Sequence, residues 1–130
     1  MALTFEETNV LGDVVDQTFG KSSTERSGSP QWVVKCRMLN DERMLIDYCT
    51  IVNLLSAEEM HSRAKALEDG GMQVIKKYVA GTKEQFKERA GRALKLDVKD
   101  HSTSVEHISM SAYNPKKTAY FRVTAVCEYA

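Results

Sequence analysis

Apolar and polar residues alternate with a period of two in two parts of this chain, residues 31–52 and 94–129. Successive side chains of a β-strand point to opposite faces of a sheet, so this alternation is typical of strands that bury one face. Short connections between the strands favour antiparallel pairing. The residues between the two parts have helical spacing. The pattern therefore predicts an α+β fold, in which an antiparallel sheet (hairpin plus C-terminal strands) packs against two or three helices.

The first alternating part predicts a hairpin between residues 31–39 and 43–52. A two-residue turn would place Val34 opposite Asp47, whereas a three-residue loop at residues 40–42 pairs apolar residues with one another. Because register parity decides which side chains meet across the strands, we expect the three-residue loop. The predicted pairs are Met38 with Met44, Cys36 with Ile46, Val34 with Tyr48, Trp32 with Thr50 and, on the other face, Lys35 with Asp47.

Residues 4–19 approximate a helical stripe of apolar residues. Thr4 is a candidate N-cap, and Glu6 and Glu7 would lie in the first turn, where the helix dipole favours acidic side chains. Gly12 and several β-branched residues weaken this pattern. A strand or an irregular arm is therefore the alternative to a helix.

Two capping boxes and a hydrophobic staple mark helix starts in the middle of the chain: Ser56 with Glu59, Thr82 with Gln85, and Leu55 with Met60. We expect the first helix to end at about Leu67, because Gly70 and Gly71 follow it. Residues 72–80 fit a strand and a helix equally well. If they are helical, a break at Gly81 separates them from the second capped helix.

The last third of the chain predicts three antiparallel strands. Residues 94–99 and 104–112 are interpreted as two short strands with a turn at 100–103, and a second turn at 114–117 precedes the last strand. Residues 118–129 give the strongest alternation in the chain. That strength indicates a long or central strand.

With 130 residues, the chain is predicted to form a single domain, residues 1–130, with one hydrophobic core. Within it we expect an N-terminal helix or arm (1–19), a flexible loop (20–30) rich in glycine, serine and charge, and an α+β body (31–130).

Charge and hydropathy limit the classes of partner. Lysine plus arginine equal aspartate plus glutamate at 18 each, so the formal net charge is zero. A general affinity for nucleic acid or for an anionic membrane needs a basic excess, so we expect neither partner. Near-zero charge also weakens repulsion between copies and mildly favours self-association. No apolar run is long enough to cross a membrane.

The residue types that carry chemistry show no motif. Cys36, Cys49 and Cys127 have neither disulfide-framework nor C-x-x-C spacing, so they are interpreted as buried thiols in a reducing compartment: the cytoplasm, or a virion if the protein is viral. The histidines lack the spacing of metal ligands, and no two carboxylates are placed for acid–base catalysis. We therefore predict no metal, cofactor or catalytic residue, which weighs against an enzyme without deciding the point.

The first functional hypothesis is a non-catalytic structural or assembly subunit of a homo-oligomer. The second hairpin strand is partly apolar on both faces, so a partner subunit is expected to cover one of them. Small subunits of virus particles, such as phage neck or tail-joining proteins, have this style of architecture. The interface candidates are Trp32, Leu45 and Ile51.

The second hypothesis is a small-molecule-binding or enzymatic α+β domain. A helix that crosses a curved antiparallel sheet can leave an apolar pocket with a few polar groups. The candidate ligand-binding residues are Trp32, Tyr48, His107, Tyr120 and Arg122.

Overall fold

The structure, a computed structural model, describes residues 3–20, 32–40, 42–54, 57–107 and 117–129. The described elements are α1 (Phe5–Gly20), β1 (Trp32–Met38), β2 (Arg43–Leu54), α2 (Ala57–Ala90), β3 (Leu96–His107) and β4 (Lys117–Tyr129). The strands form one antiparallel sheet in the order β1-β2-β4-β3. Both helices pack on the same face of that sheet, so the predicted α+β class is confirmed. The predicted loop at 20–30 lies almost entirely outside the described residues.

The centre of the sheet is the pair β2 and β4. They pair from Arg43 with Glu128 to Leu54 with Lys117, which confirms that the last strand is long and central. The face of the sheet that the helices cover carries the core of the protein. Its fully or nearly fully buried residues are Val34, Met44, Ile46, Tyr48, Thr50, Leu96, Phe121, Val123, Ala125, Cys127 and Tyr129.

The hairpin has the predicted register, from Trp32 opposite Thr50 to Met38 opposite Met44. The side chain of Asn40 closes the three-residue loop, since its Oδ1 accepts hydrogen bonds from the backbone N–H of residues 42 and 43 at 2.8 and 2.9 Å. This is the local bonding that makes asparagine a turn residue. The end of β4 holds the loop from the side, because the Tyr129 hydroxyl donates to the Asn40 backbone oxygen at 2.6 Å.

The helix predicted at the N-terminus is confirmed as α1, and its first turn is capped reciprocally. The backbone N–H of Glu7 donates to the Thr4 hydroxyl at 3.1 Å, and the Thr4 N–H donates to Glu7 Oε1 at 2.9 Å. This is a capping box. The Glu7 carboxylate also accepts a hydrogen bond from Arg92, beyond the end of α2. The Arg92 bond, and then the Thr4 backbone bond, lower the pKa of Glu7 to about 2.

Helix α1 runs antiparallel to the second half of α2. Asp13 forms an ion pair with Arg89 at 3.4 Å, and nearer the end of α1 the ring of Phe19 stacks on that of Tyr78 at 5.3 Å between centroids. Leu11, Val14 and Val15 are buried between these contacts. The two helices therefore form one layer over the sheet.

Helix α2 is one helix of 34 residues. The predicted stop before Gly70 and the predicted break at Gly81 are both wrong, and residues 72–80 are helical. The Thr82 hydroxyl donates to the Tyr78 backbone oxygen at 2.8 Å, so Thr82 lies within the helix and does not cap a second one. The helix ends before Gly91, whose φ of 77° favours glycine after a helix. Of the predicted first capping box and staple, Leu55 and Ser56 lie outside the described residues, and so do the side chains of Glu59 and Met60.

Packing explains why α2 continues through its glycines. A Cβ atom added at Gly71 would lie 2.8 Å from Tyr48 Cδ1 and 2.9 Å from Val123 Cγ2. The absence of a side chain at Gly71 therefore lets the helix backbone lie directly on the centre of the sheet. Burial of Ile75 and Phe86 further along the same helix adds to this contact. Together these contacts outweigh the helix-propensity cost of about 1 kcal/mol for each glycine.

The predicted turn at residues 100–103 is also wrong, since β3 continues through it. A register shift between Val98 and Asp100 absorbs one residue as a β-bulge. The bulge moves Asp100 to the face of the sheet opposite the helices, where Asp97 also lies. The described C-terminal part thus has two strands rather than three. Residues 108–112 of the predicted strand lie outside the described residues.

The Gly71 contact predicts opposite effects of two neighbouring alanine substitutions. G71A forces Tyr48 and Val123 to shift, and we expect a loss of about 1–2 kcal/mol in the free energy of unfolding. G70A is the matched control, because a Cβ there meets nothing within 4 Å. We expect G70A to stabilise the protein by about 0.5–1 kcal/mol. Urea unfolding followed by circular dichroism measures both changes, and equal effects would contradict the contact.

Candidate functional site

The face of the sheet opposite the helices is uncovered by any described element. Every residue that the register places on it, and whose side chain is described, is exposed or half-buried. We call this surface the open face. Its described residues are Val33, Lys35, Arg37, Arg43, Leu45, Asp47, Cys49, Asp97, Asp100, Ser102, Ser104, Tyr120, Arg122, Thr124, Val126 and Glu128.

The open face carries two apolar cross-strand pairs, which the polar pair of Asp47 and Thr124 separates. Leu45 of β2 lies directly opposite Val126 of β4, and both side chains are half-buried. Val33 of β1 lies opposite Cys49 of β2, again with both side chains half-buried. Tyr120 adds a ring that is 36% exposed. Apolar side chains that meet across strands on an uncovered face are typical of a surface that binds a partner.

The two edges of the open face carry opposite charge. Lys35 and Arg37 lie on β1 at one edge, whereas β3 at the other edge carries Asp97 and Asp100, with the bulge residue Lys99 between them. All five side chains are exposed. One row of residues crosses the sheet from Arg37 through the apolar pair to Asp100. This row is therefore basic, apolar and acidic in that order across the strands, whereas the next row, from Lys35 to Ser102, is polar throughout.

Polar contacts inside the open face are local. The Thr124 hydroxyl donates to Asp47 Oδ1 at 2.7 Å, across the central pair of strands. Arg43 forms an ion pair with Glu128 at 3.4 Å at the hairpin end of the face, where both side chains are about half exposed. These contacts satisfy the central carboxylates within the chain. The edge charges Lys35, Arg37 and Asp97 form no ion pair with another described residue.

The structure separates the predicted ligand-binding residues. Tyr48 is buried on the helix-covered face against Gly71, and burial raises the pKa of its hydroxyl. Tyr120 and Arg122 lie on the open face, on the other side of the backbone. The backbones of Trp32 and His107 pair with Thr50 and Ala119, but their side chains lie outside the described structure. The described members of the set thus do not converge on one pocket.

Of the predicted interface residues, Leu45 lies at the centre of the open face. Ile51 pairs with Tyr120 in the register, and its side chain, like that of Trp32, lies outside the described structure. Arg37, Asp100 and Val126 are not among the predicted interface residues. The signal for Val126 was present, since it is the apolar residue on the mostly polar side of the last strand.

Two of the three free cysteines lie on the helix-covered face. Burial raises the pKa of the Cys36 thiol to about 12 and that of Cys127 to about 11. The Cys36 thiol donates a weak hydrogen bond to Met44 Sδ at 3.7 Å. Because the thiolate is the nucleophilic form, these two groups are poor nucleophiles near neutral pH. Cys49 is half-buried on the open face.

The described residues contain no candidate metal site, since no three His, Cys, Asp or Glu side chains among them are grouped so that they could hold a metal ion. His101 instead forms a hydrogen bond with Glu68 of α2 at 2.8 Å. None of the described helices is both long and apolar enough to cross a membrane.

Comparisons of the chain with protein-family models, with curated proteins and with solved structures find no match.

The positions of the cysteines predict their reactivity. At pH 8 we expect iodoacetamide to modify Cys36 and Cys127 at least about 100-fold more slowly in the folded protein than in urea, since so little thiolate forms. The rates should rise about tenfold per pH unit between pH 7 and 10. Peptide mass spectrometry measures each site, and labelling of Cys36 at the unfolded rate would contradict the raised pKa of its thiol.

Proposed function

We propose that this protein is a non-catalytic structural subunit that assembles with copies of itself through the open face. The observation that carries the proposal is the chemistry of that face. It combines two apolar cross-strand pairs with edges of opposite charge, and no described element covers it. A sheet with one face on its own core and a second face that is partly apolar is stabilised when a partner covers the second face.

The helix-covered side supports the same proposal. Tyr48 and Val123 pack directly against Gly71, so helix and sheet are in contact where a ligand pocket between them would lie. The thiols on that side are held in the protonated form by burial. These groups contribute to packing, and the open face offers apolar and charged side chains for recognition among the described residues.

Within the class of assembly subunits, we propose a component of a virus particle, such as a phage neck or tail-joining protein. The support is an analogy of architecture, since small subunits of this kind also combine a helix, a hairpin, a second helix and a long closing strand. Localisation in the virion, or in the cytoplasm before assembly, follows from this proposal. Antibody labelling of particles purified from the host of such a virus tests it, and absence from the particles would contradict it.

Self-association is tested first on the unmodified protein. We expect the weight-average mass in sedimentation equilibrium to rise above that of one chain within the micromolar range. A mass of one chain at every concentration up to about 1 mM would contradict the proposal.

A pair of matched substitutions then tests the surface. V126T replaces a methyl group on the open face with a hydroxyl, and V105T makes the same change at a valine that is 39% exposed on the other face. A buried methyl group contributes about 0.8 kcal/mol, and each appears twice in a dimer. We therefore expect V126T to raise the dissociation constant about tenfold and V105T to leave it unchanged. Equal effects would place the interface elsewhere.

A further inference from the structure

We propose that the open face binds a second copy of the chain through a two-fold axis parallel to the strands, so that Arg37 of each copy meets Asp100 of the other. This inference rests on the proposed self-association and adds the identity of the contact. The feature that carries it is the order of charge across the sheet.

The charged edges belong to one row of the register. Arg37 lies opposite Leu45, Leu45 lies opposite Val126, and Val126 lies opposite Asp100. The row therefore places a cation at one end, two half-buried apolar side chains in the middle and an anion at the other end. Lys35 and Asp97 add the same sign of charge to the same two edges.

The open faces of two copies can meet through a two-fold axis that lies between the copies. This axis can run along the strands or across them. An axis across the strands places β1 over β1 and β3 over β3, so like charges face one another. An axis along the strands places β1 of each copy over β3 of the other and keeps each row over itself. Charge complementarity therefore selects the axis along the strands, because like charges opposed at an interface are unfavourable.

The same axis makes the apolar pair of Leu45 and Val126 self-complementary. It passes between β2 and β4, so Leu45 of one copy faces the partner's Val126, and the reverse contact follows by symmetry. An isologous contact of this kind closes at two copies. It leaves both helices on the outside of the dimer, in a four-layer arrangement of helices, sheet, sheet and helices.

The area of the open face fits a reversible dimer. Neighbouring strands lie about 4.8 Å apart, and the paired length is about 40 Å for β2 with β4 and for β4 with β3 but about 24 Å for β1 with β2, which gives roughly 500 Å² for each copy. The total of about 1,000 Å² is typical of weak, transient protein–protein interfaces. A reversible dimer is therefore expected.

Charge reversal tests the contact. R37E and D100R should each raise the dissociation constant at least about tenfold in sedimentation velocity at low salt, because each puts two like-charged pairs into the dimer. K83E and E88R are the matched controls, since they make the same changes of net charge at exposed positions of α2. We expect the controls to dimerise like the unmodified chain.

Mixing the two variants gives the sharper result. In a heterodimer of R37E with D100R, both edge contacts again join opposite charges, so an equimolar mixture should recover dimerisation that neither variant shows alone. The double variant R37E/D100R should recover it too. If D100R fails to fold, the double variant R37E/D100N is used instead. Asparagine keeps the side-chain oxygen that accepts a hydrogen bond from the backbone N–H of His101 at 2.8 Å. Because the substitution removes the repulsion between the glutamate of R37E and Asp100, it should restore part of the affinity that R37E loses.

The other possible outcomes contradict either the proposed contact or the proposed function. If the unmodified chain self-associates and R37E and D100R raise the dissociation constant no more than K83E does, the contact between Arg37 and Asp100 is contradicted. The proposed function would not be contradicted by that result. If the mixed variants associate again but form species larger than a dimer, the two-fold contact is contradicted. Such species would indicate head-to-tail contacts between the β1 edge of one copy and the β3 edge of the next. A monomer at all concentrations of the unmodified chain would overturn the proposed function itself.

Discussion

The antiparallel pairing of β2 with β4 is the constraint on which the other features depend. The two strands share twelve paired positions, and side chains alternate between the faces at every step. A shift of β2 by a single residue would move Ile46 out of the core and bring Leu45 into it, and a shift of β4 would do the same to Val123 and Val126. The same register therefore fixes both the core under the helices and the composition of the open face.

The parts that the sequence could predict are those decided by neighbours along the chain. The hairpin register followed from parity across a three-residue loop, where one choice paired apolar residues and the other opposed them to charges. The first helix and the long last strand followed from their own periodicity. Leu45 could be predicted as a surface residue on the same grounds, since both faces of its strand are partly apolar.

The parts that could not be predicted depend on contacts far apart in sequence. Gly70 and Gly71 resemble a helix stop locally, but Gly71 is the point where α2 touches Tyr48 and Val123, and that contact is visible only in the folded chain. Asp100 resembles a turn residue, and only the bulge in β3 places it on the open face. The opposite charges at the two edges of that face, and with them the site, were therefore hidden from sequence patterns.

The covered face and the open face divide the roles of the molecule. The covered face takes up the large apolar side chains and two protonated thiols, whereas the open face offers two apolar pairs between a basic and an acidic edge. The proposal that copies of the chain recognise one another through the open face rests on this division. Leu45 and Val126 lie opposite each other within one chain. If the open face is the interface, Leu45 of one copy must also contact Val126 of the other copy.

Isotope-filtered NMR on a mixture of differently labelled copies measures this contact directly. With Leu45 methyl groups labelled in one population and Val126 methyl groups in the other, any cross-peak between them arises between copies and not within one chain. We expect such a cross-peak at concentrations where the protein is dimeric. Its absence there, with intermolecular cross-peaks from the outer faces of the helices instead, would contradict assembly through the open face.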